Sequence, residues 1–94
     1  MLDHIILFKA NDLTGDAERE FLDRLADLGR VPGVEAIACG KNVTDRSRGF
    51  DYCLRITFKD RAGLDAYQVD PAHRRFVEYR QGVSSEHICV DFEW

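Results

Sequence analysis

The sequence has no surplus of positive charge. Its 94 residues include 13 Lys and Arg against 17 Asp and Glu, which gives a formal net charge of −4 at pH 7. Proteins that bind DNA or RNA gain much of their affinity by neutralising phosphates with Lys and Arg. The composition therefore disfavours a nucleic acid as a partner.

Long apolar runs are also missing. An unbroken run such as Ile5 to Phe8 is far shorter than the roughly 20 apolar residues that a membrane-spanning helix needs. The first residues lack the apolar segment of a signal peptide. We therefore expect a cytoplasmic, unprocessed protein with no membrane partner.

Cysteine and proline are few. The three cysteines, Cys39, Cys53 and Cys89, form an odd set without a C-x-x-C pair or a nearby His at zinc-ligand spacing, so neither a disulfide framework nor a metal site is indicated. Only 2 Pro and 7 Gly accompany 45% apolar residues, the mix of an ordinary folded chain. At this length the expectation is a single domain over residues 1–94.

The sequence does show clear hydrophobic periodicity. Alternating apolar residues predict strands, spacings of three and four predict helices, and Asp70-Pro71 predicts a break within the second helical region. The predicted strands are 2–9, 34–41, 50–59 and 86–93, with helices over 14–28 and from 61 to about 81. The order β-α-β-β-α-β predicts an α+β ferredoxin-like fold, an antiparallel sheet with both helices on one face.

Two of the predicted strands are apolar on both faces. If the helices cover the face of His4, then Ile5 and Leu7 in the first strand and Val90 in the last are left on a bare face. Such a surface is too apolar for a soluble monomer. The pattern therefore predicts a homodimer whose sheets pack face to face about a two-fold axis.

Short motifs spread along the chain resemble the stress-responsive A/B barrel (Dabb) domain family. They are His4-Ile5-Ile6-Leu7-Phe8-Lys9, Pro32-Gly33-Val34, Gly40-Lys41-Asn42-Val43-Thr44, Phe58, Tyr67 with Asp70-Pro71-Ala72-His73, and Val90-Asp91-Phe92. The resemblance covers nearly the whole chain and implies a dimeric α+β barrel. It does not imply one function, because one fold hosts many activities.

A plant polyketide cyclase of this family, which works without metal or organic cofactor, is similar in detail. The resemblance implies catalytic roles for Tyr67 and His73 as an acid–base pair, with His4 nearby. The chain departs from that member at Asp70, where the member has a histidine, and at Arg24, His87 and Cys89, which replace large apolar groups. The departures favour a more polar ligand.

The residues themselves are compatible with such chemistry. His73 lies near a helix N-terminus, whose partial positive charge keeps an imidazole neutral and able to accept a proton. A neutral His beside a Tyr donor can enolise a carbonyl compound. The alternative for His73 is a structural hydrogen bond at the break, and His4 on an apolar face is usually a core residue.

We expect the ligand to lie between sheet and helices. The predicted ligand contacts are Ile6, Phe8, Phe21, Leu54, Phe76 and His87. The main hypothesis is a small-molecule-binding protein or a cofactor-free cyclase- or lyase-like enzyme acting on a carbonyl or phenolic compound. The alternatives are a stress-responsive structural homo-oligomer without enzymatic activity and a cofactorless monooxygenase of the related dimeric barrel type.

Overall fold

The computed structural model describes residues 1–10 and 12–94. In this part of the chain the elements are β1 (Leu2–Ala10), α1 (Gly15–Asp27), β2 (Val34–Lys41), β3 (Tyr52–Phe58), α2 (Arg61–Gln68), α3 (Pro71–Gln81) and β4 (Ser84–Glu93). A short 3₁₀ turn, Leu28–Arg30, continues from α1. The predicted order of elements is confirmed, including the helix break at Asp70.

The four strands form one antiparallel sheet in the order β2-β3-β1-β4. His4 of β1 lies opposite Ile56 of β3 on one side and opposite Asp91 of β4 on the other. The α+β ferredoxin-like fold predicted from the periodicity is confirmed, and β2 and β4 are the edge strands.

One face of the sheet is buried under the helices. Because side chains alternate along a strand, every second residue of β1 and β3 points into this layer. The buried core consists of Leu2, Ile6, Phe8, Phe21, Leu25, Leu28, Val31, Tyr52, Leu54, Ile56, Phe58, Leu64, Tyr67 and Phe76. Burying one Leu or Phe side chain contributes about 1.5–3 kcal/mol, so this layer supplies much of the driving force for folding.

The end of α1 differs from the prediction. The helix ends at Asp27 and the chain continues through Gly29 as a 3₁₀ turn, whereas the pattern predicts a helix to residue 28 that Gly29 stops. Gly29 serves a close approach: a β-carbon there would lie 2.8 Å from Cγ2 of Ile37. Lack of a side chain, not a left-handed backbone, is what this position requires.

The starts of two strands also differ from the prediction. β3 begins at Tyr52 instead of residue 50, because a turn closed by the Phe50 amide on the Ser47 carbonyl, at 3.2 Å, extends to that point. β4 begins at Ser84 instead of residue 86. Its first residue is fixed to β1, since the Ser84 hydroxyl donates to the Lys9 carbonyl at 2.6 Å.

In the part of the chain that the structure describes, none of the helices combines the length and the apolar character needed to cross a membrane.

Candidate functional site

Two helices meet at a break that places Tyr67 and His73 side by side. α2 begins at a cap in which Asp60 accepts from the Gly63 amide at 3.1 Å, and its last turn carries Tyr67. α3 begins with the Asp70 carboxylate accepting from the Ala72 amide at 2.8 Å, and its first turn carries His73. The ring centroids of Tyr67 and His73 are 4.6 Å apart.

The hydrogen bond of His73 defines its protonation pattern. Nδ1 of His73 lies 3.1 Å from the Gln68 carbonyl oxygen. A carbonyl only accepts, so Nδ1 carries the proton and donates it. In the neutral ring Nε2 is then an acceptor, the atom with which a general base takes up a proton.

His4 reaches the same cluster from β1. Its ring centroid is 5.9 Å from that of Tyr67, edge to face. Nδ1 of His4 bonds to Oδ1 of Asp91 on β4. The His4 side chain is only 3% exposed, while that of Asp91 is 40% exposed. The Asp91 carboxylate therefore fixes the orientation of a buried imidazole and directs its Nε2 away from β4.

Asp91 was not predicted as a site residue. It is recognisable only through strand pairing, because it stands 87 positions from His4 in the chain. Once Phe8 is paired with His87, the antiparallel register places Asp91 opposite His4. The alternation that puts His87 and Cys89 on the inner face of β4 also puts Asp91 there.

The hydroxyl of Tyr67 is the unusual group in this cluster. Tyr67 is fully buried, and among the described residues its hydroxyl is the one buried side-chain oxygen or nitrogen without a hydrogen-bond partner. An unsatisfied buried donor costs about 1–3 kcal/mol. A group of this kind in an otherwise satisfied core points to a missing partner, such as a ligand or an ordered water.

Burial shifts the pKa values of Tyr67 and His73 in opposite directions, and in each case it favours the neutral form. It raises the pKa of the Tyr67 hydroxyl well above its ordinary value, with a smaller contribution from Cys89. It lowers the pKa of His73 below 6.5, and His4 and Arg80 contribute in the same direction, while the Gln68 carbonyl and Asp70 oppose it. Near neutral pH Tyr67 is therefore a hydrogen-bond donor and His73 a proton acceptor.

A concavity of about 450 Å³ lies beside the cluster, between α2 and the edge strand β4. Its lining includes Gln68, whose carbonyl accepts from His73, and Asp91, which holds His4. Leu64 and Val69 supply apolar wall. This concavity borders the hydrogen-bond partners of both His4 and His73.

Most of the predicted ligand contacts lie in the buried core and not in the lining of this concavity. Ile6, Phe8, Phe21, Leu54 and Phe76 all belong to the buried core, and the Phe21 ring is 5.5 Å from that of Phe8 and 6.4 Å from that of Phe76. They form the packed layer next to the cluster. Their contact with a ligand stays a prediction.

His87 lies apart from the other two histidines. It is opposite Phe8, four residues along β1 from His4. Its Nδ1 lies 3.1 Å from Nη1 of Arg80, which can only donate, so this nitrogen accepts. Burial and the neighbouring Arg80 lower the pKa of His87. A role for His87 in binding also stays a prediction.

Within residues 1–10 and 12–94, no three His, Cys, Asp or Glu side chains are grouped so that they could hold a metal ion.

Comparison with known families identifies the chain. Residues 2–94 match the family model described as the Stress Responsive A/B Barrel Domain. The chain belongs to the Dabb family. This confirms the family that the sequence motifs resemble, and His4, Tyr67 and His73 all lie within the matched residues.

Two curated relatives have similar sequences across nearly the whole chain. One is the stress-response A/B barrel domain-containing protein DABB1 of Arabidopsis thaliana, 24% identical over 97 residues, which cover 98% of this chain and 46% of DABB1. The other is olivetolic acid cyclase of Cannabis sativa, 24% identical over 93 residues, 95% of this chain and 92% of the cyclase. This Dabb chain thus spans about half of the length of DABB1.

Solved structures confirm the fold. A protein of Arabidopsis thaliana superimposes with a TM-score of 0.90 at 20% identity, covering 100% of this chain and 95% of the other. A dimeric ferredoxin-like protein of Thermobifida fusca gives 0.85 at 24% identity, covering 99% and 90%. A hydroxynitrile lyase from Passiflora edulis gives 0.86 at 15% identity, covering 97% and 90%.

Proposed function

We propose that this Dabb protein binds a small carbonyl or phenolic compound at Tyr67, His73 and His4 and catalyses proton transfer on it without a cofactor. The observation that carries the proposal is the unpartnered hydroxyl of Tyr67. A ligand oxygen placed there would accept its hydrogen bond. The ring of His73, whose centroid is 4.6 Å from that of the Tyr67 ring, would then stand beside the carbon or oxygen that gives up a proton.

The proton transfer assigns one role to each group. Nε2 of His73 takes the proton from the carbon next to the carbonyl, the electron pair of that C–H bond forms the carbon–carbon double bond of the enolate, and the π pair of the carbonyl moves to its oxygen. Tyr67 donates a hydrogen bond to the resulting enolate oxygen. The same His73 nitrogen, now protonated, returns the proton to carbon or oxygen. His4, oriented by Asp91, provides a second polar contact for the ligand.

The relatives support an activity of this class. A cyclase and a hydroxynitrile lyase share the fold, and the cyclase is similar in sequence over 95% of this chain. The resemblance assigns acid–base roles to Tyr67 and His73, which the structure brings into contact. Arg24 lies over the Tyr79 ring, outside the cluster, and so is not among its polar groups.

We propose that the working form is a homodimer. On the face opposite the helices, Ile88, Val90 and Phe92 are 45%, 59% and 47% exposed. An apolar surface of this kind marks an interaction site. Dimeric ferredoxin-like relatives with the same fold support a second copy of the chain as the partner.

The experiment is ligand-detected NMR with a panel of phenols and β-keto acids. We expect a ligand of the wild type to bind about tenfold more weakly to Tyr67→Phe, which lacks one hydrogen bond, and also to His73→Ala. The matched control is Tyr79→Phe, a half-buried tyrosine of α3 outside the cluster, which should bind like the wild type.

Proton transfer is measured on the bound compound itself. In D₂O, the wild type should exchange the hydrogens beside the carbonyl of a bound keto acid, and His73→Ala should not. Equal binding by all variants would contradict the site. Binding without exchange would contradict catalysis. If no ligand of the panel binds, the structural homo-oligomer becomes the better account.

A further inference from the structure

β4 carries a residue of the candidate site on one face and apolar residues on the other. Asp91, which holds His4, lies on the inner face, while Val90 and Phe92 on either side of it lie on the outer face. β4 is an edge strand that pairs only with β1 within the described sheet. From residue 85 to its end, every residue of the strand is exposed.

A strand that pairs along one edge and whose residues are nearly all exposed is expected to be locally weak. Regions with few buried apolar contacts open at a free energy well below that of global unfolding. When β4 separates from β1, Asp91 moves with its strand. The hydrogen bond between the Asp91 carboxylate and His4 is then lost. The geometry of the site therefore depends on whatever covers β4.

The outer face is complementary to itself. Three rows cross the sheet, and each runs from a small residue on β2 to a large one on β4. They are Gly40, Cys53, Leu7 and Ile88; Ala38, Arg55, Ile5 and Val90; and Ala36, Thr57, Asp3 and Phe92. A two-fold axis parallel to the strands places each row against the reversed row of a second copy. The large residues of β4 then lie over the small residues of β2.

A groove on this face is shaped to receive those side chains. It has a volume of about 460 Å³, and Ala38, Gly40, Cys53 and Leu7 are among its lining residues. The space above Gly40 is open, since a β-carbon there would meet no atom within 4 Å. Ile88 and Val90 stand in the same rows as these residues, so two copies can each fill the groove of the other.

We propose that the second copy of the chain completes the functional site, because by covering β4 it holds Asp91 on His4 and so couples dimerisation to ligand binding. This inference rests on the proposed function for its ligand and on the proposed homodimer for its partner. The coupling is reciprocal: the ligand must tighten the dimer by the same factor by which dimerisation tightens ligand binding.

The decisive variant is on β2, at the opposite edge of the sheet from β4. Ala38→Lys places an unpaired cation in the proposed interface, in the row that faces Val90 of the second copy, and burying such a charge there is costly. Light scattering should show a dimer for the wild type and a monomer for this variant. Val90→Asp tests the same contact from β4, and Val43→Asp, at a loop residue that is 91% exposed, is the matched control.

Two measurements report on the geometry of the site and on its ligand binding. The first is the downfield proton signal of His4 Nδ1–H bonded to a carboxylate, identified by its absence in Asp91→Asn. The second is the affinity for the ligand found with the wild type. In the Ala38→Lys monomer we expect the signal to disappear and the affinity to fall about 5- to 150-fold, the usual range of coupling between sites. Dilution of the wild type to monomer should give the same result without a mutation.

The outcomes separate the two proposals. A monomeric variant or diluted wild type that keeps the His4 signal and the wild-type affinity would overturn the coupling, and so would a wild type that is never dimeric. If the His4 signal follows dimerisation but no ligand binds, the proposed function fails and the structural coupling stands. Val43→Asp should behave as the wild type in every measurement, and a loss there would show that the charge alone acts.

Discussion

The Tyr67 hydroxyl is buried without a hydrogen-bond partner, so we expect it to lower the stability of the free protein and, under the proposed function, to be satisfied when a ligand is bound. Removing it eliminates an unsatisfied buried donor while keeping the ring that packs 5.3 Å from Phe58. We expect Tyr67→Phe to leave the free energy of unfolding unchanged or to raise it by about 1 kcal/mol. Urea denaturation without ligand measures this. A loss of more than about 1 kcal/mol would show that the hydroxyl is hydrogen-bonded in solution.

The same residue explains what sequence reasoning can find in this site. Tyr67 and His73 are close in sequence and flank a recognisable helix start at Asp70-Pro71, so their contact is predictable from local signals. Asp91 acts on His4 through the pairing of two strands at opposite ends of the chain. A partner defined by long-range register leaves no local pattern, which is why it was missed.

At the scale of elements, the start of α3 determines where His73 lies. Asp70 caps the helix through the Ala72 amide, and Pro71 occupies the first turn. Asp70→Ala should lower the free energy of unfolding by about 0.5–2 kcal/mol, and Asp70→Ser should restore most of it, because serine is also a good cap. Chemical denaturation measures both.

The control for this variant is Asp65→Ala. Asp65 is an exposed residue of α2 that forms an ion pair with Arg61 at 3.1 Å, and such pairs contribute about 0.3–0.5 kcal/mol. If Asp70→Ala changes stability no more than Asp65→Ala does, the cap is not what holds α3. In that case Asp70, a half-buried residue, would have another role, such as contact with a ligand.

Element boundaries show where local patterns stop being informative. The core positions of β1 and β3 follow from alternation, because one face of the sheet is buried along its length. The ends depend on contacts made elsewhere: Gly29 fits against Ile37 of β2, and Ser84 is tied to Lys9 of β1. Such tertiary contacts move an end by one or two residues without changing the fold.

At the scale of the whole molecule, acid should weaken the fold in two steps. Burial lowers the pKa of His73 and His87 below 6.5 in the folded protein. Hydrogen bonds lower the pKa of two carboxyls: Thr57 acts on Asp3, with an ordinary value of 3.8, and Lys41 and Tyr52 act on Glu18, with an ordinary value of 4.5. All four groups thus bind protons more readily in the unfolded chain.

The sign of the effect follows from that difference. Where the unfolded chain binds more protons, stability falls as pH falls. The contribution of the histidines is present above pH 6.5 and is lost as pH falls through their folded pKa values. That of Asp3 and Glu18 is present above 3.8 and 4.5 and is lost at lower pH, as each carboxyl is protonated.

We expect the urea midpoint to decline first below pH 6.5 and again below pH 4.5. His73→Gln should reduce the first decline and leave the second unchanged. The measurement needs one fixed protein concentration and the mass at each pH, because dissociation of a dimer also lowers apparent stability. A first decline of equal size in His73→Gln would mean that His73 does not lose its proton on folding. The pH dependence would then belong to another group, and the assignment of His73 as the proton acceptor would lose its support.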